Sequence, residues 1–126
     1  MKTYVISSAI IKKQATLLIV KRSPAARFAP GEWEFVSGFI KEHEAAEDTI
    51  LREVTEELSC NGRIVRPLPI YEQTDADGKW VIVPFEVEIG DGPIVLSTEH
   101  TEYKWVTKQE ILQLPELSSD IDRLTL

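Results

Sequence analysis

The sequence predicts an α/β protein in which a mixed β-sheet is flanked by helices. Three observations predict it: β-favouring runs open the chain, one strongly amphipathic helix follows them, and further strands precede C-terminal helical segments. One domain over residues 1–126 is expected, since this length suits one core and is too short for two.

Residues 3–11 (TYVISSAII) and 15–21 (ATLLIVK) are split by Lys12, Lys13 and Gln14, which predicts a hairpin. Ser23 to Gly31, with two prolines and a glycine, is a loop. Trp33, Glu34, Phe35 and Val36 return to an extended run. At roughly 100° per residue, Ile50, Leu51, Val54 and Leu58 then form one apolar helical stripe, with Glu53 and Glu57 together along its border. Beyond the helix, Arg63–Thr74 and Trp80–Ile89 read as two strands around the turn Asp75-Ala76-Asp77-Gly78. Val81, Val83, Phe85, Val87 and Ile89 alternate with more polar positions, so one face is buried, and Pro84 points to a bulge or an edge strand. Tyr103–Val106 is a last strand, Thr107–Leu112 a helix capped by Thr107, and Leu117–Leu126 a terminal helix.

Composition narrows the function classes. The net charge of −7 argues against a nucleic-acid scaffold, which needs a basic stripe. It leaves a nucleotide substrate open, because a bound divalent ion reverses the local field. One cysteine makes no internal disulfide, and nothing approaches the roughly 20 apolar residues of a membrane span, so a soluble cytoplasmic protein without a membrane partner is expected.

The chemistry-bearing residues cluster in residues 38–60, GFIKEHEAAEDTILREVTEELSC. Glu44, Glu53, Glu56 and Glu57 would repel one another unless something cationic sat among them. Arg52 stands one turn from Glu56, where the two steady each other. Carboxylates at a half-buried edge suit a hard, oxygen-loving ion such as Mg²⁺.

This segment resembles the Nudix box, G-x5-E-x7-R-E-U-x-E-E-x-G-U with U aliphatic. Gly38, Glu44, Arg52, Glu53, Val54, Glu56 and Glu57 match in register. Ser59 replaces the pattern's glycine and Cys60 its last aliphatic residue, so Asn61 and Gly62 are expected to end the helix instead. Ala45 is a poor N-cap, partly offset by Glu47 and Asp48 in the first turn.

The resemblance implies an α/β/α sandwich and hydrolysis of a phosphoanhydride in a nucleoside diphosphate linked to another group. It implies Mg²⁺, with Mn²⁺ as a substitute, on Glu53, Glu56, Glu57 and the Gly38 carbonyl. Arg52 becomes an orienting partner and Glu44 a supporting acid. STEHTEYKWV, residues 97–106, is similar to a later family pattern, which makes Glu99 a further metal ligand or the general base.

Lys21, Arg22 and Arg27 bracket a loop that commonly meets phosphate or base in such proteins, and Arg22 with Trp33-Glu34-Phe35 is similar to the small MutT-type nucleoside triphosphate pyrophosphohydrolases. Phe28, Trp33, Trp80 and Phe85 are stacking candidates, and Ser118, Ser119 and Asp120 candidates for a base edge. His100 is placed to tune the loop bearing Glu99, yet a lone loop histidine is more often solvated, and His43 beside Glu44 reads the same way. The implied reaction is (d)NTP to (d)NMP and pyrophosphate; an ADP-ribose or dinucleotide pyrophosphatase, a non-catalytic nucleotide-binding regulatory domain, and assembly as a homodimer stay open.

Overall fold

The computed structural model describes residues 1–114, so the expected helix at Leu117–Leu126 lies outside the described residues. Strand β1 (Thr3–Lys13) is the hub. It pairs in parallel with β7 (Gly78–Ile89) from Thr3↔Lys79 to Ile11↔Val87, and antiparallel with β4 (Val36–Phe39) on its other edge. Its last residues turn through Gln14, in the left-handed region at φ 57°, to meet β2 (Thr16–Arg22). The hairpin is therefore only a two-pair hinge, Lys12↔Leu17 and Lys13↔Thr16. Beyond it β2 pairs with β3 (Trp33–Glu34) on one side and β8 (His100–Val106) on the other. The sheet is mixed, as its parallel β1–β7 and antiparallel remaining pairs require.

The run Trp33–Val36 is not one strand. Trp33 and Glu34 follow β2, Val36 follows β1, and the wholly buried Phe35 marks the change of partner. Arg63–Thr74 likewise divides into β5 (Gly62–Pro67) and β6 (Tyr71–Asp75), broken where Pro67 and Pro69 lack the N–H groups a ladder needs. Both pair with β7, and the bulge lies in β5, between Ile64 and Arg66. Pro84 is thus in a central strand rather than at an edge. Its carbonyl accepts from Leu68 N–H at 3.0 Å. Because a strand residue's N and C=O face the same side, its missing donor falls in the gap between β5 and β6.

Two apolar layers cover opposite faces. Helix α1 (Ala46–Leu58) lays Ile50, Val54 and Leu58, all fully buried, against Ala9, Ile11, Leu18, Val20, Phe85 and Val87. The other face gathers Ile10, Leu17, Ile19, Trp33, Phe35 and Val106 beneath Ile111 of the short helix α2 (Lys108–Ile111). The period-2 alternation of β2 produces this division, Leu18 and Val20 facing one layer and Leu17 and Ile19 the other. Thr107 caps α2 with a reciprocal Glu110 box. Truncating Ile50 to alanine should cost about 2–5 kcal/mol, read as a lower urea midpoint at unchanged slope. No helix among the described residues is long and apolar enough to cross a membrane.

Both ends of α1 depart from good capping chemistry. Ala45 sits at the N-cap with no side-chain hydrogen bond, while Glu47 and Asp48 supply negative charge to the first turn. At the C-terminus Ser59 itself adopts the left-handed conformation, φ 58°, in place of the expected Asn61 and Gly62. Its hydroxyl donates to Val95 O at 3.1 Å, Val95 N–H reaches Leu58 O at 3.0 Å, and Ser97 N–H reaches Glu57 O at 3.2 Å. The loop between β7 and β8 thereby satisfies carbonyls that the helix end leaves open.

Candidate active site

The helix border carrying Glu53 and Glu57 faces the end of β4, where Gly38 pairs with Ser7 of β1. Glycine at 38 leaves room for the Glu53 side chain. A Cβ there would fall inside the van der Waals envelope of Glu53 Cγ, Cδ and Oε1, so the missing side chain is what lets Glu53 reach the strand.

One carboxylate oxygen from each of Glu53, Glu56 and Glu57 lies within 4.8 Å of the others. Arg52 organises two of them. Its Nη1 donates to Glu53 Oε1 at 2.8 Å and to Glu56 Oε2 at 3.2 Å, and its Nε and Nη2 grip both oxygens of Glu44 at 2.9 and 3.0 Å. Glu44 also accepts from Thr49 Oγ1 at 2.8 Å. The Arg52 hydrogen bonds, aided by Thr49, hold the Glu44 carboxyl down to about 2. Arg52 is itself pushed above its usual value, chiefly by Glu44.

Glu57 is fixed from below. Its Oε2 accepts from Ser97 Oγ at 2.7 Å and from His100 Nδ1 at 2.8 Å. His100 Nε2 faces Glu34 Oε2 at 3.0 Å, and Glu34 accepts from Arg22 Nη1 at 3.0 Å. Burial alone would lower His100, but hydrogen bonds to Glu34 and Glu57 lift it to about 9, so both ring nitrogens donate at neutral pH. His100 is therefore a buried strand residue, not a solvated loop residue. His43, by contrast, is exposed beside Glu42.

The charge balance fits a hard cation. Burial pushes the Glu53 carboxyl up, and Glu56 and Glu57 add to that against the opposing pull of Arg52. Burial also opposes ionisation of Glu57, yet His100 and Ser97 bring its pKa below the usual value. Glu99 is raised, first by the charge of Glu57 and then by burial. Oxygen-only donors bearing excess negative charge at a half-buried edge match a divalent ion of the Mg²⁺ kind.

These groups open into a cavity of about 590 Å³. Gly38, Glu53, Glu56, Glu57 and Glu99 line one part, and Arg22, Arg27 and Phe28 another. Arg52 and Glu44 stand behind the wall. Phe39, Trp80 and Ile82 complete an apolar side. Trp80 stacks on Tyr4 with centroids 4.4 Å apart, Phe28 meets Trp80 edge-on at 5.1 Å, and Trp80 Nε1 donates to Asp75 Oδ1 at 3.0 Å.

Two substrate candidates are corrected by this geometry. Trp33 is 4% exposed and belongs to the layer under α2, its ring flanked by Lys21 and Lys104. Phe85, also 4% exposed, faces α1, because odd-numbered residues of β7 point to the helix while Trp80 and Ile82 point to the cavity. Asp120, with Ser118 and Ser119, lies outside the described residues. Sequence reasoning missed Glu34, Ser97, Tyr4 and Phe39. The period-2 pattern of β1, which puts Tyr4 on the face of Ile6, was the available signal for Tyr4.

Comparison with known proteins agrees with this architecture. The chain is 27% identical over 125 residues to a protein of Escherichia coli (strain K12) named CTP pyrophosphohydrolase, covering 98% of this chain and 90% of the relative. Its fold matches a MutT protein from Methanosarcina mazei Go1 with a TM-score of 0.85 at 24% identity, over 93% of this chain and 86% of the other. A MutT NUDIX hydrolase from Burkholderia pseudomallei matches with a TM-score of 0.82 at 23% identity, over 97% and 95%. The family model for the NUDIX domain matches residues 1–125. A match across almost the whole chain, on a fold that presents these carboxylates to a cavity, means that the chain belongs to the NUDIX family of hydrolases acting on pyrophosphate bonds.

Proposed function

We propose that the protein hydrolyses a nucleoside triphosphate, ribo or deoxy, to the monophosphate and pyrophosphate in the cytoplasm. The observation that carries this reading is the meeting, in one cavity, of the Glu53–Glu56–Glu57 cluster, two arginines and an aromatic wall. Glu53, Glu56 and Glu57 would hold Mg²⁺ or Mn²⁺, with the Gly38 carbonyl as a further ligand. When bound, such an ion supplies charge neutralisation to the anhydride oxygens and acidity to water.

The chain's own groups do the rest. Arg52 orients Glu53 and Glu56 and is anchored by Glu44. Arg22 and Arg27 face the phosphates; the Arg22 plane is locked by its Nε bond to Phe28 O at 2.7 Å. Glu99, whose carboxyl is already raised beside Glu57, accepts the proton from the attacking water. Phe28, Phe39 and Trp80 offer the base an apolar wall.

A panel of nucleotides with Mg²⁺, analysed by ion-exchange chromatography, tests the reading. The E. coli relative's name puts CTP at the head of the panel. Monophosphate and pyrophosphate should appear, and Phe28→Ala should raise KM about tenfold with kcat within a few-fold, as expected for loss of roughly 1–1.5 kcal/mol of ring contact. ADP-ribose as the preferred substrate, or tight calorimetric binding without product, would replace the proposal with one of the two other readings.

A further inference from the structure

The two chemical parts of the cavity are joined beneath its floor. Arg22 is on β2, Glu34 on β3, His100 on β8 and Glu57 on α1, yet they form one unbroken chain of contacts at 3.0, 3.0 and 2.8 Å. The His100 side chain is 2% exposed and those of Glu57 and Glu34 are 5% and 9% exposed, so the two histidine links are shielded from water. Glu34 uses the same oxygen, Oε2, for both Arg22 and His100. Moving the imidazole therefore moves the anchor of the guanidinium.

At the other end Glu57 Oε2 is held by both His100 and Ser97, which fixes the rotation of the carboxylate. At the near end the Arg22 Nε bond to Phe28 O leaves the guanidinium one orientation while Nη1 stays on Glu34. Histidine suits the middle of this chain because its two ring nitrogens lie on opposite edges of a rigid ring, one toward each carboxylate. A glutamine amide carries both of its N–H groups on one nitrogen, so it supplies a donor to one carboxylate and not to the other.

We propose that His100 is a positioning residue which, through Glu34, sets the phosphate-facing Arg22 and the cation-facing Glu57 in a single rigid frame. This rests on the reading above, in which Arg22 meets phosphate and Glu57 meets the cation. Two consequences separate it from a role in stability alone. Loss of His100 weakens cation binding even with no nucleotide present, since Glu57 then rotates. It also makes the contribution of Arg22 smaller, since the guanidinium is no longer aimed.

The test uses the full chain. Mn²⁺ affinity is measured without nucleotide by electron paramagnetic resonance of the free ion, and kcat and KM with the preferred triphosphate, for wild type, His100→Gln, Arg22→Lys and the double variant. His100→Gln should bind Mn²⁺ about 10–100-fold more weakly, the range for groups that orient metal ligands. Arg22→Lys should leave Mn²⁺ affinity near wild type and raise KM. In the His100→Gln background its penalty on KM should shrink at least threefold, as for residues in one network. Glu34→Ala, which removes the oxygen shared by Arg22 and His100, should reproduce the shrinkage if His100→Gln does not fold. Wild-type Mn²⁺ affinity together with an undiminished Arg22→Lys penalty, in a variant with native circular dichroism, overturns the proposal. If wild type itself neither binds Mn²⁺ nor hydrolyses a triphosphate, the functional reading fails instead.

Discussion

Replacing Glu57 by glutamine should lower kcat by roughly 10³-fold, the scale on which a preorganised charge-stabilising group acts. The substitution preserves shape. A glutamine carbonyl can still accept from Ser97 and His100, so the helix and the β7–β8 loop should keep their places. What is lost is one negative charge from the three carboxylates whose oxygens lie within 4.8 Å of one another. The same loss is visible without turnover. A ligand that binds only the folded state, present at a hundredfold excess over Kd, stabilises it by about 2.7 kcal/mol. Mg²⁺ should therefore raise the wild-type melting temperature by several degrees and that of Glu57→Gln far less. Activity within tenfold of wild type, or an equal Mg²⁺ shift in both proteins, would remove Glu57 from the cation site.

The second large effect is expected at a residue with no side chain. Gly38→Ala places a methyl group where Glu53 Cγ, Cδ and Oε1 now lie. The obstacle is the far part of a flexible side chain, not backbone, so the fold can yield by turning Glu53 away. The stability change should be small, within about 1 kcal/mol. Activity should fall by about 10²-fold or more, because Glu53 would leave both Arg52 and its two neighbouring acids. Chemical denaturation and steady-state kinetics on the same preparation separate the two quantities. A variant that is strongly destabilised yet active when folded would show that the strand, and not Glu53, had moved.

How much of this was legible in the sequence depended on distance along the chain. Arg52, Glu53, Glu56 and Glu57 sit on one helix, where a fixed 100° step converts spacing into direction, so their grouping could be read directly. Gly38 and Glu44 lie close enough upstream for the same pattern to include them. Glu34 and His100 are 66 residues apart, and only the pairing of β2 with both β3 and β8 brings them together. No local periodicity encodes that. The aromatic residues failed for a different reason. On a strand a shift of one position exchanges faces, so Trp80 and Phe85 on the same strand part company, one to the cavity and one to the core. Trp33 went the same way, because its neighbour Glu34 takes the cavity face of β3 and leaves Trp33 on the other. The breaks at Pro67 and Pro69 were written in the sequence, yet Pro84 could be placed only once β5 and β6 were seen to leave a gap opposite it.

The C-terminus of α1 has a kinetic consequence. Val95 and Ser97 donate their amides to the last turn, Ser59 returns a hydroxyl to Val95, and Ser97 also holds Glu57. The segment bearing Glu99 is thus sewn to the helix bearing the other acids. It does not swing as a separate flap. Opening it means unpeeling the helix end as well, against the buried Leu58. In hydrogen exchange the amides of Val95 and Ser97 should slow together with those of the final helical turn, as one cooperative unit.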